Sequence, residues 1–169
     1  RFDPLAWLAY LSSRIDRIVC VSNAVKEYLE DFVPSQRLVT IYKGHDVSWY
    51  QEDESVHLSE FGIPDGAFVV ACVANMRPVK GVPWLIEAFA DVPKEKNIHL
   101  LLSGRVEDGE VNHVIKEPNL AGRVHLAGFQ KNAPALVAKC SAFVMPSVKR
   151  EGPPKALIEA MAMRVAPIV

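Results

Sequence analysis

Two glutamates, Glu151 and Glu159, stand eight positions apart in the stretch PSVKREGPPKALIEAMAMR, residues 146–164. The first sits in a loop beside Arg150. A Gly152-Pro153-Pro154 turn leads from it into a helical pattern that carries Lys155 and Glu159. Far upstream, Arg77 and Lys80 lie just ahead of Gly81 in the segment NMRPVKG. Arginine and lysine in a loop can neutralise phosphoryl oxygens. A helix that starts after Pro154 offers an anion the unpaired N–H groups of Lys155 and Ala156 and a favourable dipole, although Pro153 and Pro154 donate nothing. A helical carboxylate such as Glu159 can accept two hydroxyls of a ribose, as acidic residues do in dinucleotide sites. The chemistry these types suggest is binding of an anion, with a phosphate the first choice.

Each residue also has a plainer reading. Arg77 and Lys80 fit a solvated loop pair, and Glu151 fits ordinary loop charge. Glu159 lies four residues after Lys155, which is the spacing of an exposed helix ion pair worth a few tenths of a kcal/mol. His99 and His125 fall on strand-like runs and read as hydrogen-bonded structural histidines. No His, Cys and carboxylate set has metal-ligand spacing. No nucleophile elbow, Walker loop or G-x-G-x-x-G is present.

The elements that must position these residues alternate. Runs rich in β-branched residues at 18–22, 38–42, 68–74, 98–103, 124–127, 142–146 and 166–169 read as strands. Helical patterns lie between most of them. Asn23 can cap AVKEYLEDF, Pro83 suits the first turn of PWLIEAFADV, and APALVAKC and PKALIEAMAM follow the same logic. Several strands are almost continuously apolar, as strands buried on both faces are. The expected fold class is therefore α/β, a Rossmann-like, mostly parallel sheet with helices on both faces. In such a sheet ligands bind at the carboxyl ends of the strands. The residues that follow the strands are Lys43 to Asp46, then Arg77, Lys80 and Gly81, then Ser103 to Arg105, then Gly128, Phe129 and Gln130, then Ser147 to Gly152. Glycines, cations and the loop glutamate are thus expected on one rim. The polar, acidic stretch at 48–66 marks a boundary, so we expect a small βαβ piece at 1–47, a linker at 48–66 and a longer α/β unit at 67–169.

Bulk properties narrow the class. Half of the 169 residues are hydrophobic, enough for one domain's core. The net charge of −1 gives no reason to expect nucleic acid as a partner, which usually shows as a strongly basic face. Cys20, Cys72 and Cys140 each lie in or beside an apolar run and read as buried reduced thiols of a cytosolic protein. No apolar run approaches the roughly 20 residues that cross a bilayer. The chain begins with Arg1 and stops inside the apolar VAPIV, and we expect it to be a piece of a longer protein.

The ordered set of motifs resembles a known family. EGPPKALIEAMA is similar to the Glu-x7-Glu signature of retaining family-4 glycosyltransferases of the GT-B fold. DRIVCVSNAV, VTIYKGHD, VANMRPVKGVPWLIEAFADV and RVHLAGFQKNAPALVAKCSAFVMPS precede it in the family's order, so the resemblance covers nearly the whole chain. It implies two Rossmann-like domains, with 1–47 the end of the acceptor-side domain and 67–169 most of the donor-side domain. It implies that Lys80 binds the donor diphosphate and Glu159 the ribose, with Gly81 also in the substrate site and Arg77, two residues past the family's arginine position, as a substitute for that arginine. Phe129 and Gln130 would border the base. Glu151, the implied catalytic residue, and the Gly152, Pro153, Pro154 and Lys155 turn would face the transferred sugar and phosphate. The family's phosphate-binding arginine aligns with Asn75, and Arg164 stands where a glycine commonly ends the helix. The implied activity is sugar transfer from a nucleotide-diphosphate sugar to a glycan or lipid-linked acceptor of an envelope, such as lipopolysaccharide, without metal or cofactor. The implied location is the cytoplasm, with peripheral contact at the inner membrane face through the other domain. A non-catalytic nucleotide- or sugar-phosphate-binding module is the rival, and a degenerate homologue kept for interactions is a third reading. The 169 residues by themselves are not expected to transfer sugar.

Overall fold

The structure, a computed structural model, describes residues 4–105, 111, 115–148 and 154–169. The chain divides into two compact units, Arg1–His45 and Asp46–Val169.

The first unit holds helix α1 (Pro4–Leu11), strand β1 (Ile18–Cys20), helix α2 (Asn23–Glu30) and strand β2 (Leu38–Thr40). β1 and β2 pair in parallel, Ile18 opposite Leu38 and Cys20 opposite Thr40. Helix α2 crosses between them and packs Leu29 against Cys20, Val33 and Leu38. Its cap is Ser22 and not Asn23: the Ser22 hydroxyl accepts from the Val25 N–H at 3.3 Å, and Asn23 is already helical. An N-cap oxygen reaches the amide three residues on, and here Ser22 holds the extended backbone that geometry needs. The Arg37 guanidinium donates to the Ser12 and Ile15 carbonyls, both at 2.6 Å, which ties β2 to the loop after α1.

The second unit is a five-stranded sheet. Its strands are β3 (Phe68–Val73), β4 (Ile98–Ser103), β5 (Val124–Gly128), β6 (Ala142–Val144) and β7 (Ala166–Ile168). Their order is β5-β4-β3-β6-β7, and every pairing among them is parallel. Helices α3 (Val82–Ala90), α4 (Ala133–Ala138) and α5 (Lys155–Ala162) cover both faces. Alternation along the strands builds two cores. Val69, Ala71, Leu101 and Phe143 face Leu136 and Val137 of α4 and Ala160 of α5. Cys72, Leu100 and Leu102 face Val82, Ile86 and Phe89 of α3. This is the fold class the strand pattern predicts. Burial pushes the Cys72 and Cys140 thiols up to about 12, so both are protonated, unreactive packing groups.

The stretch 48–66, polar by composition, does more than link. Ile63 is buried in the second unit's core, and Tyr50, Val56, Leu58 and Phe61 pack against it. Averaging over an acidic window hides apolar residues that are spaced to dock one at a time. At the far end of the unit, α5 closes with two reversed hydrogen bonds. The Arg164 N–H donates to the Met161 carbonyl and the Val165 N–H to the Ala160 carbonyl, both at 3.0 Å. This pattern puts Arg164 at φ 61, a left-handed conformation that glycine adopts more cheaply. The turn keeps its usual form, and the arginine bears the strain.

His99 and His125 sit side by side on β4 and β5, both buried. The Phe61 carbonyl can only accept, so His125 Nδ1 donates to it at 2.8 Å. With His125 neutral, its Nε2 accepts from His99 Nδ1 at 2.9 Å. Burial holds both histidines below their ordinary value of 6.5, and for His99 the neighbouring His125 and Arg123 charges add to this. The unfolded chain therefore takes up protons below pH 6.5 that the native pair refuses. Stability is fully present above that pH and falls as the pH drops through it, by at most about 1.4 kcal/mol per pH unit for each extra proton. Urea midpoints are expected to decline between about pH 7 and 5.5 and to lose most of that slope in a His99→Leu/His125→Leu double variant. A slope unchanged by the double substitution contradicts this account.

Candidate functional site

The strand order changes direction at β3. From β3 the chain moves outward through β4 to β5, then returns to the other side of β3 for β6 and β7. In sheets of this kind the ligand crevice lies at the carboxyl ends of the strands, next to this reversal. The structure has a cleft of about 380 Å³ there. Val73, Ala74 and Asn75 line it from the end of β3, and Ser103 and Gly104 from the end of β4. Phe129, Gln130 and Lys131 enter from the loop after β5, and Lys155 and Glu159 from α5. Arg77 and Lys80 complete the wall.

Backbone hydrogen bonds fix these loops against one another. The Ala74 N–H donates to the Ser103 carbonyl, the Met76 N–H to Arg105 and the Gly104 N–H to Gly128, at 2.8 to 2.9 Å. Arg77 and Lys80 flank a single 3-10 turn, Pro78–Lys80, in which the Lys80 N–H donates to the Arg77 carbonyl at 2.9 Å. Gly81 follows at φ 67, and α3 starts immediately behind it. The Gln130 amide is anchored to the Ala127 carbonyl at 2.6 Å. The Phe129 ring is 65% exposed, and the Arg105 guanidinium lies over it at 5.6 Å, within cation–π range.

Among the described residues the cleft is cationic, lined by Arg77, Lys80, Lys131 and Lys155 and by one carboxylate. That carboxylate, Glu159, is only 7% exposed. The i,i+4 pair expected from the sequence exists, with Lys155 Nζ 2.6 Å from Glu159 Oε1, but it is no surface pair. The hydrogen bond to Glu159 raises the Lys155 pKa, and the charges of Glu159 and Tyr50 add to the effect. The ammonium is therefore fully charged at neutral pH.

Of the residues proposed from sequence, Arg77, Lys80, Phe129, Gln130, Lys155 and Glu159 share this one cleft. Gly81 and Pro154 border it without lining it. Gly81 opens α3, and Pro154 is the N-cap of α5. Glu151, Gly152 and Pro153 lie outside the described residues. Sequence reasoning passed over Lys131, although it directly follows Gln130 in the same loop. Asn75, noted as a departure, lines the cleft as a neutral side chain. Among the described residues no group of three or more His, Cys, Asp or Glu side chains is placed to hold a metal ion. No described helix is long and apolar enough to cross a membrane.

A doubly wound α/β unit with its cleft at the strand-order reversal defines a broad class of ligand-binding proteins. Residues 67–169 match the family model described as Glycosyl transferases group 1, and the chain belongs to that family. An uncharacterized glycosyltransferase of Methanocaldococcus jannaschii is 30% identical over 157 residues, 90% of this chain and 39% of that protein. N-acetyl-alpha-D-glucosaminyl L-malate synthase of Bacillus anthracis is 29% identical, covering 89% of this chain and 40% of the relative. A UDP-Gal:alpha-D-GlcNAc-diphosphoundecaprenol alpha-1,3-galactosyltransferase of Escherichia coli is 26% identical, covering 96% and 45%. The chain thus spans less than half the length of these relatives. Among solved structures, Anabaena HepE in complex with UDP-glucose superposes with a TM-score of 0.81 at 24% identity, over 95% of this chain and 45% of that one. That likeness is one of fold.

Gly81 is where this geometry can be tested without touching any charge. A Cβ at Gly81 would lie 1.9 Å from the Pro146 carbonyl oxygen, at the point where the Val148 N–H also donates to the Val79 carbonyl at 3.2 Å. Gly122 has a similar φ of 75 but nothing within 4 Å of its Cβ position. Gly122→Ala should cost about 1–2 kcal/mol for the left-handed backbone. Gly81→Ala should add roughly 1–3 kcal/mol more for the clash. Urea denaturation of both variants measures the difference, and equal losses would show that the two loops are not in contact.

Proposed function

We propose that the protein takes part in retaining transfer of a sugar from a nucleotide-diphosphate sugar to a glycan or lipid-linked acceptor. The observation that carries this reading is the cleft itself, where, among the described residues, four cations and one buried carboxylate converge at the strand-order reversal. A diphosphate matches the cations, and a ribose diol matches a carboxylate with two acceptor oxygens. Family membership makes sugar transfer the chemistry, and the UDP-sugar donor printed in the name of the E. coli relative supports a nucleotide donor. That relative's diphosphoundecaprenol acceptor supports a lipid-linked acceptor for this protein.

In this reading Lys80 and Arg77 hold the diphosphate, Glu159 the ribose, and Phe129 with Gln130 the base. Glu151 and the turn after it face the sugar as it leaves. The protein's part in the reaction is to hold the anomeric carbon against the acceptor and to stabilise the charge on the departing diphosphate. Lysine and arginine charge does this without a metal or cofactor. The unit 67–169 is the donor side, and the acceptor belongs to the other domain. A peripheral position at the cytoplasmic membrane face would bring a lipid-linked acceptor within reach.

Glu159 gives the test. Loss of its charge-assisted bonds to a ribose costs about 1.5–3 kcal/mol, roughly tenfold to a hundredfold in affinity. Calorimetric titration of Glu159→Ala with whichever of UDP, GDP or ADP binds the unaltered protein best should show that loss. Unchanged affinity in a variant with an unaltered circular dichroism spectrum would refute the ribose role.

A further inference from the structure

Lys155 is a poor helix-stabilising residue where it stands. It is the first residue of α5, where the helix dipole already presents positive charge. A lysine four residues ahead of a glutamate is also the weaker orientation of an i,i+4 pair. Yet the pair is short, at 2.6 Å, and its halves are unequal. The Lys155 side chain is 62% exposed, whereas that of Glu159 is 9% exposed. One partner is fixed in the cleft wall, and the other is a long cation at the cleft surface. Lys80, Arg77 and Lys131 line the same cleft, so a diphosphate there would meet more than one cation.

These facts fit an exchange of partners. Resting on the nucleotide reading above, we propose that Lys155 is a counter-ion switch, leaving Glu159 for the donor diphosphate as the ribose takes the carboxylate. A ribose diol takes an acceptor site on each oxygen of Glu159 and so competes with the ammonium at Oε1. The displaced ammonium stands at the N-terminal end of α5, where the dipole and the neighbouring cations favour an anion. With a diphosphate in the cleft, Lys155 trades one charge-assisted partner for another. With a nucleoside alone, the displaced ammonium finds no replacement. The switch thus couples the two halves of the ligand, and the cleft discriminates for nucleotides that carry both ribose and phosphate.

The coupling predicts opposite signs for one substitution. Lys155→Met should weaken UDP binding roughly tenfold to a hundredfold, the scale of a lost charge-assisted contact. The same variant should bind uridine more tightly than the unaltered protein, because Glu159 is then free for the ribose, and unchanged uridine binding would reduce Lys155 to a plain phosphate contact and overturn the switch. Lys155→Arg should restore most of the UDP affinity. UDP is titrated by calorimetry and uridine by ligand-observed NMR. The GDP and guanosine or ADP and adenosine pairs take their place if the unaltered protein prefers them. Thermal denaturation checks that each variant is folded. Equal losses for nucleotide and nucleoside, or unchanged UDP binding, would overturn the switch while leaving the nucleotide site standing. A folded, unaltered protein that binds none of the three nucleotides would overturn the nucleotide reading itself, and the switch with it.

Discussion

Everything at the candidate site depends on β3 pairing in parallel with both of its neighbours. Phe68 to Val73 run alongside Ile98 to Ser103 on one side, and Val70 and Ala71 pair with Ala142 and Phe143 on the other. Parallel register sends all three exit loops to the same edge of the sheet. The reversal of strand order at β3 leaves a crevice at that edge, lined by the loops after β3, β4 and β5 and by α5. A strand slipped by one residue would send Val69 and Ala71 to the wrong core and would also misplace Asn75, Arg77 and Lys80. The same apolar alternation that stabilises the sheet therefore positions the polar residues beyond its end.

Given that frame, the electrostatics follow. Four cations facing one cleft repel one another, and the buried Glu159 carboxylate loses hydration. Each cost is met locally. The cationic loops are pinned by backbone bonds at Ala74, Met76, Gly104 and Val148, so the charges cannot simply drift apart. Glu159 recovers part of its lost solvation from the Lys155 ammonium. An anionic ligand would complement this charge pattern.

Much of this was legible in the sequence for physical reasons. Strand β4 reads directly from IHLLLS because a strand buried on both faces needs no polar residue along it. Helix α3 announces itself through Pro83 and the spacing of Ile86 and Phe89. Other features are invisible to periodicity. The apolar residues Val56, Leu58, Phe61 and Ile63 are diluted among acids, and only the folded core shows that they belong to it. The run at Pro4–Leu11 is a helix that periodicity does not reveal, since PLAWLAYL has no polar face to mark a period. At the site, the i,i+4 spacing of Lys155 and Glu159 was plain, but spacing says nothing about burial. Only the packing of α5 against the sheet distinguishes a carboxylate in a cleft wall from one in water. Lys131 lacked any signal except its place in the loop after β5.

The claim that this edge of the sheet receives a nucleoside diphosphate is tested most directly by amide hydrogen exchange with and without UDP, GDP or ADP. Binding should slow exchange in the loop after β3, at Gly104, in the Phe129 to Lys131 loop and in the first turn of α5. The amides around Asn97, His99 and His125, at the opposite end of the strands, should be unchanged. Protection confined to that opposite end, or no protection with any of the three nucleotides, would contradict the account.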